Sequence, residues 1–384
     1  MHFPTARVWF AALSVLGTPA LSAQDARVPE RSPFELFGDV RLRFESDFDS
    51  QRSNGVPRAD RDRLRNRTRL GVRWHASDEL TATVRARTGR ADSQQSPHLT
   101  FHDFDDGPTD HFHAVLDEYF LRFAEAPFDL WAGRNELPLA AANDSELLWD
   151  KDATVLGGGG SFNATSVVNL QAAVFGLPDG AEHIRGVGSL LQARGTIHPA
   201  TDTAVELSSA LLSLRGADRT THLLDGNGQR DYAIGILGAR LVQTLGTEPT
   251  PLRARFGVDL VRNFAHYAVT DPDPISAAYR DDRNGWVLSA SLGQRASGKA
   301  GEWELRWAYA WIEKLAVDAS FAQDDWVRWG SGGQTDSSDL RGHELGARYF
   351  FADRLSVFAR YYDVASIRTA QDGMRFRLDF EWSF

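Results

Sequence analysis

The chain has 384 residues, a formal net charge of −10 and no cysteine, so disulfides and thiolate chemistry are excluded. The acidic balance argues against nucleic acid as a partner. Mean hydropathy is −0.36, an average that conceals apolar residues when they alternate with polar ones instead of forming runs.

At the amino terminus, Arg7 precedes the apolar run Val8 to Gly17, and small residues follow around Ala20-Leu21-Ser22-Ala23. A positive start, short apolar centre and small-residue exit predict a secretory leader over 1–23, cleaved near Ala23. The run is shorter than the roughly 17 to 25 residues a membrane anchor needs. The remainder, 24–384, reads as one domain.

From about Ser32 onward, strand-like stretches are expected over 34–48, 63–75, 78–90, 112–124, 127–135, 153–163, 166–176 and 185–198. They continue over 201–214, 230–245, 251–264, 283–295, 301–314, 341–351, 354–365 and 372–384. Tight connections such as His75-Ala76-Ser77-Asp78 and His198-Pro199-Ala200-Thr201 alternate with long ones such as 91–111, 136–152 and 315–340. In the last stretch Arg375, Arg377, Asp379 and Glu381 share one face, and Phe376, Leu378, Phe380, Trp382 and Phe384 share the other. This resembles the closing strand of a bacterial outer-membrane barrel, with its apolar face toward lipid and its charged face toward an aqueous lumen. The expected fold is therefore an all-β, antiparallel up-and-down transmembrane barrel of about 16 strands, with short periplasmic turns and long external loops. A secreted β-sandwich or propeller is the alternative fold. Trp303, Leu305, Trp307, Tyr309 and Trp311 mark a lipid face, and Trp74, Trp131, Tyr349, Tyr361 and Trp382 are candidates for the interfacial girdles.

Only three lysines occur, so nearly all positive charge is arginine. Arg63, Arg65, Arg67 and Arg69 share one face of the second strand, flanked at odd positions by Arg61 and Arg73. Arg41 and Arg43 on the first strand, Arg85 and Arg87 on the third, and Arg375 and Arg377 on the last would extend them into a pore-lining positive wall. Such a wall concentrates anions; the alternative is a solvated face neutralised by Glu45, Asp379 and Glu381. Opposing charge is expected from Asp144, Glu146, Asp150 and Asp152. Their loop counts as the third external one, which folds inward as the constriction in trimeric porins, and Leu147, Leu148 and Trp149 would pin it.

Ser145-Glu146-Leu147-Leu148-Trp149-Asp150-Lys151-Asp152, with Gly133-Arg134 before it and Gly157 to Gly160 behind, resembles the family of putative porins of Gram-negative bacteria. Asp117-Glu118-Tyr119-Phe120-Leu121-Arg122 is similar to that family's preceding strand. The specific part covers about 114–176, and the Lys-rich stretch and coiled extension of some members are missing. Alginate exporters and carboxylate-selective porins are weaker matches. The resemblance implies an outer-membrane channel without fixing its solute, and a terminal aromatic, Phe384, read by the barrel-assembly machinery.

His98, His102, Asp103, Asp105, Asp106, Asp110, His111 and His113 crowd one loop, but the spacing lacks a calcium loop's distal Glu, and a solvated polar loop is expected, with no metal. Acidic external loops of this kind can also bridge lipopolysaccharide through divalent cations. Neither a Gly-x-Ser-x-Gly elbow nor a phosphate loop is present. The expectation is a multi-pass outer-membrane porin, a passive diffusion channel for small hydrophilic solutes with a mild preference for anions, with no cofactor and no enzymatic activity. Its expected partners are membrane lipid, lipopolysaccharide, the assembly machinery and the solutes, with a homotrimer an open alternative to a monomer. The rival readings are a lipase- or esterase-type barrel enzyme and a closed structural or adhesive barrel.

Overall fold

Period-two alternation becomes strand pairing throughout the computed structural model, which describes residues 32–139, 146–217, 220–223, 230–247, 251–294, 298–330 and 335–384. The expected leader and Asp144 lie outside these residues. The first half forms β1 (Phe34–Gln51), β2 (Pro57–Arg58), β3 (Arg61–His75), β4 (Leu80–Thr88), β5 (Leu99–Asp103), β6 (Ala114–Glu125), β7 (Phe128–Asn135), β8 (Val155–Asn163) and β9 (Val168–Asp179). The second half forms β10 (His183–Ala200), β11 (Thr203–Arg215), β12 (Tyr232–Leu245), β13 (Leu252–Asn263), α1 (Pro274–Tyr279), β14 (Asn284–Gln294), β15 (Trp303–Ile312), β16 (Leu340–Ala352), β17 (Leu355–Ser366) and β18 (Asp372–Ser383).

Sixteen of these strands are the staves of a closed antiparallel barrel. Each pairs with its neighbour in sequence, and β18 returns to β1 with Arg43 opposite Asp379 and Glu45 opposite Arg377. Closure removes the open edges that hydrocarbon does not tolerate. The two remaining strands cap the long-loop end. β2 pairs with the end of β1, and β5 pairs with β3, Arg63 lying opposite Asp103. The sequence reading gave residues 99–103 to a solvated loop. Instead Leu99, Thr100 and Asp103 are buried, because the edge of β3 beyond Arg65 offers backbone partners that β4 has left.

The two faces are those of a membrane barrel. Leu42, Val84, Leu237 and Phe380 are half-exposed on the outside, whereas Arg43, Glu45, Arg377 and Asp379 are at most 1% exposed inside. Apolar outside and charged inside inverts the soluble pattern and suits lipid around a polar interior. No described helix is long and apolar enough to cross a membrane; the strands make the crossing.

The interior itself has two sides. One is the charged face carried by β15 to β18, β1, β3 and β4. On the other, Phe175, Leu190, Leu212, Tyr232, Ile234, Ile236 and Val287 face inward and pack with Leu147, Trp149, Phe321 and Trp326 from the long loops. Trp131, read from sequence as a girdle residue, also packs against this cluster. The apolar side explains how long polar-ended loops fold into the barrel at all, since each brings apolar groups that need a dry partner.

Candidate functional site

The charged side is built by register. Pairing of β1 with β3 sets Asp39, Arg41, Arg43 and Glu45 opposite Arg69, Arg67, Arg65 and Arg63, while β18 sets Glu381, Asp379 and Arg377 opposite Arg41, Arg43 and Glu45. Cross-strand neighbours interact directly, and here they form a lattice of ion pairs. Arg43 grips Asp379 through two hydrogen bonds of 2.6 and 3.1 Å. Glu45 accepts from Arg377 at 2.6 Å and also pairs with Arg63 and Arg65. Asp47 accepts from Arg375 at 2.5 Å, and Asp39 pairs with Arg67 and Arg69, each at 2.6 Å. Arg85 lies 2.8 Å from both Asp117 and Glu118. Arg87 clamps the 89–98 loop, donating to the carbonyls of Thr88, Ser93 and Ser96 at 3.0 to 3.3 Å.

Three further arginines continue the wall. The guanidiniums of Arg306, Arg348 and Arg360 lie 4.8, 4.3 and 5.0 Å from the ring of Phe358, an inward aromatic buried among them. Cation–π attraction holds such groups over a ring face. Gly346 makes this possible: a Cβ there would meet the Arg306 side chain at 2.8 Å and Phe358 at 3.1 Å. Arg348 and Arg41 both pair with Glu381, and Arg306 pairs with Glu344.

Two long loops close on this wall. In the loop between β7 and β8, Leu147, Leu148 and Trp149 are buried, and Trp149 stacks on Phe321 at 4.8 Å and meets Phe175 of the barrel edge-on at 5.9 Å. Gly188 leaves room for that Phe175 ring, which would lie 2.2 Å from a Cβ. The loop between β15 and β16 goes deeper, with Leu315, Val317, Phe321 and Ala322 fully buried. Its Asp325 lies among three guanidiniums: Arg360 at 2.5 Å, Arg43 at 3.6 Å and Arg377 in direct contact. Arg375 adds hydrogen bonds to the carbonyls of Asp324 and Asp325 at 3.3 and 2.7 Å. Burial alone would push the Asp325 carboxyl up, but Arg377, Arg360 and Arg43 together hold it well below the usual range. Gln94 and Gln95 tie the 89–98 loop to the same segment through the carbonyls of Ser320, Ala319 and Ala322 at 2.5 to 2.9 Å.

Between wall and loops is a polar cavity of about 130 Å³. Arg41, Arg67, Arg306, Arg348 and Arg360 border it on the wall side, and Glu146, Asp150, Asp152, Asp324 and Asp325 on the loop side, with His98, Gln323 and Phe358. Asp152 reaches Arg69 at 3.2 Å. Asp150 and Asp324 make no ion pair with any described residue. Burial first, then repulsion from Asp152, Glu146 and Asp324, pushes the Asp150 carboxyl well above the usual range; burial and Asp325 push Asp324 up too.

Of the ten arginines read from sequence, Arg41 and Arg67 border this cavity. Arg43, Arg65, Arg375 and Arg377 are buried beneath or beside the β15–β16 loop, and Arg63, Arg69, Arg85 and Arg87 are engaged with carboxylates or loop carbonyls. The structure brings Glu146, Asp150 and Asp152 together opposite the wall. Sequence reading missed Arg306, Arg348, Arg360, Phe358, Asp324 and Asp325. The signal for the last two was available, because apolar Phe321 and Trp326 flank them as Leu148 and Trp149 flank Asp150.

The β15–β16 loop also carries a pH-sensitive group. Burial pushes the Asp318 carboxyl from 3.8 up to about 7, against hydrogen bonds from Ser320 and the charge of Arg230. A carboxyl raised in the packed state stabilises that state in its protonated form. The contribution is complete below the unfolded value and is lost as pH rises through 7. Current fluctuations from loop motion are therefore expected to grow as pH rises from about 4 to about 7 and to level off above that. Recordings of Asp318→Asn should show that pH response flattened.

A sequence profile of the family described as "Putative porin" matches residues 56–177 and 240–380. No curated protein matches the chain. Among solved structures, the chain is similar to Pseudomonas putida OprB in its high-pH structure, with a TM-score of 0.56, 11% identity, and coverage of 92% of this chain and 94% of that one. Acinetobacter baumannii OccAB4 follows at TM-score 0.49, 8% identity and coverage of 92% and 99%. Pseudomonas aeruginosa OccK8 (OprE) gives 0.48, 10% identity and coverage of 91% and 98%. At these identities the likeness is one of fold.

Proposed function

The chain belongs to the putative porin family of outer-membrane β-barrels, and from that premise we propose that it passes small hydrophilic solutes passively with a mild preference for anions. The observation that carries this reading is the cavity of about 130 Å³ on which five arginines converge. Arginine keeps its charge at any relevant pH. The facing Asp150 and Asp324 have no ion-pair partner among the described residues, and burial raises both carboxyls, which weakens the negative charge opposite the arginines. A narrow low-dielectric passage focuses such a field and concentrates counter-ions. Family and fold favour a channel over an enzyme. The same reading takes the 1–23 segment as an export leader, lipid and lipopolysaccharide as surroundings, and the assembly machinery as the reader of the final strand.

The test is the zero-current potential across a salt gradient. Wild type is expected to show anion sign, and joint replacement of Arg41, Arg67 and Arg348 by Ser should move it toward cations. The shift should be largest in dilute salt, where the screening length grows from about 10 Å at 0.1 M to about 30 Å at 0.01 M. Cation preference in the wild type would assign control to Glu146, Asp152 and Asp325 instead. A second reading, a closed barrel, draws support from the complete burial of Phe321 and Ala322 inside the barrel. It predicts no current.

A further inference from the structure

The cavity between wall and loops has two chemically opposite ends: one holds buried polar groups without hydrogen-bond partners among the described residues, the other crowded acidic side chains. At the wall end, beside Arg41 and Arg67, His98 is 6% exposed, and neither ring nitrogen has a hydrogen-bond partner among the described residues. Burial and the neighbouring arginines hold the imidazole well below its ordinary pKa, so it is neutral, with one donor and one acceptor to place. The Gln323 amide nitrogen, buried in the same lining, is also without a partner among the described residues. Leaving such groups buried and unmatched is unfavourable. At the loop end the carboxyls of Glu146, Asp150 and Asp324 crowd together; Glu146 pairs with the exposed Lys151 at 3.4 Å and the other two have no ion-pair partner among the described residues, while Arg41 and Arg67 are matched by Glu381 and Asp39 on the wall. A positive group among the loop carboxylates would relieve both their repulsion and their burial.

A simple anion would satisfy the first end only, and a simple cation the second only. A divalent metal does not fit, since among the described residues no three His, Asp or Glu side chains converge to hold one. We propose that the cavity binds a small zwitterion of the α-amino-acid type. Its carboxylate lies toward His98, Arg41 and Arg67, and its ammonium toward Glu146, Asp150 and Asp324. This rests on the channel reading of the same constriction and names the solute class that the constriction favours. The volume of about 130 Å³ limits it to short side chains.

Calorimetric titration of the folded, detergent-solubilised barrel tests this with L-alanine, propionate and ethylammonium chloride as probes. Alanine is expected to bind at least tenfold tighter than either half-ligand. Asp150→Asn should reduce alanine to the level of propionate, and His98→Ala should reduce it to the level of ethylammonium. Heat-modifiable migration on gels verifies that each variant is folded, and Glu146→Gln replaces Asp150→Asn if the latter fails. Propionate binding as tightly as alanine, or variants indistinguishable from wild type, would overturn the two-ended site. Ionic openings in a bilayer without alanine preference overturn this site and leave the channel standing. Alanine binding in a barrel that never conducts leaves the site standing and overturns the channel.

Discussion

Replacing Asp325 by Asn is expected to raise single-channel conductance several-fold and to expose the β15–β16 loop to protease. Asp325 supplies the one carboxylate that Arg43, Arg360 and Arg377 share from the loop side. Asn keeps its volume but removes the charge, so buried guanidiniums lose an anion that a neutral amide does not replace. Removing one partner of a buried ion pair typically costs about 3–5 kcal/mol. The loop's remaining ties are carbonyl contacts from Arg375, a longer ion pair of Arg328 with Asp47 at 3.6 Å near the rim, and the amides of Gln94 and Gln95 from the 89–98 loop. The loop should therefore swing out before the barrel loosens, and thermal stability of the strands should change little. Conductance and protease sensitivity equal to wild type would mean that apolar packing around Phe321 and Trp326, and not the arginine cage, sets the loop.

Asp379→Ala is expected to damage the barrel itself. Asp379 lies on the closing seam, bound to Arg43 of β1 at 2.6 and 3.1 Å and to Arg360 of β17 at 2.7 Å, with no exposure. Truncation leaves two buried cations, one on each strand beside β18, with one fewer partner, a loss of about 3–5 kcal/mol. Urea unfolding in lipid vesicles should show the midpoint falling at an unchanged slope. Replacing Arg43 by Met and Asp379 by Leu together should recover much of the loss, because an apolar pair of similar volume avoids the desolvation cost. Equal instability of single and double variants would show that the seam depends on the wider lattice rather than on this pair.

The staves were legible because a strand with two unlike faces announces its own register: Leu42 and Arg43, or Leu378 and Asp379, leave no choice of side. The tight turns were legible for the same reason. β17 was harder, since Val357, Ala359 and Tyr361 on one face and Phe358 and Tyr362 on the other both read as apolar. Only the three surrounding guanidiniums show that Phe358 belongs inside. The depth of the β15–β16 loop was not legible, because its position depends on contacts such as Asp325 with Arg43, nearly three hundred residues apart in the chain, for which local periodicity carries no signal. Sequence reading weighed a positive wall against one neutralised by Glu45, Asp379 and Glu381 and could not pair individual residues. The arginines' partners Asp39, Glu45 and Asp47 on β1 and Asp117 on β6 face the same interior, so most of that charge is offset within the wall; Arg41, Arg67, Arg306, Arg348 and Arg360 are paired as well, but they also border the cavity.

We propose a conducting passage bounded by the arginine wall on one side and the β15–β16 loop on the other. Single-channel recording of the purified barrel in a planar bilayer, with dilute salt on one side and concentrated salt on the other, tests it most directly. Stepwise openings with a zero-current potential of anion sign are expected. A membrane that stays silent after verified insertion would contradict it.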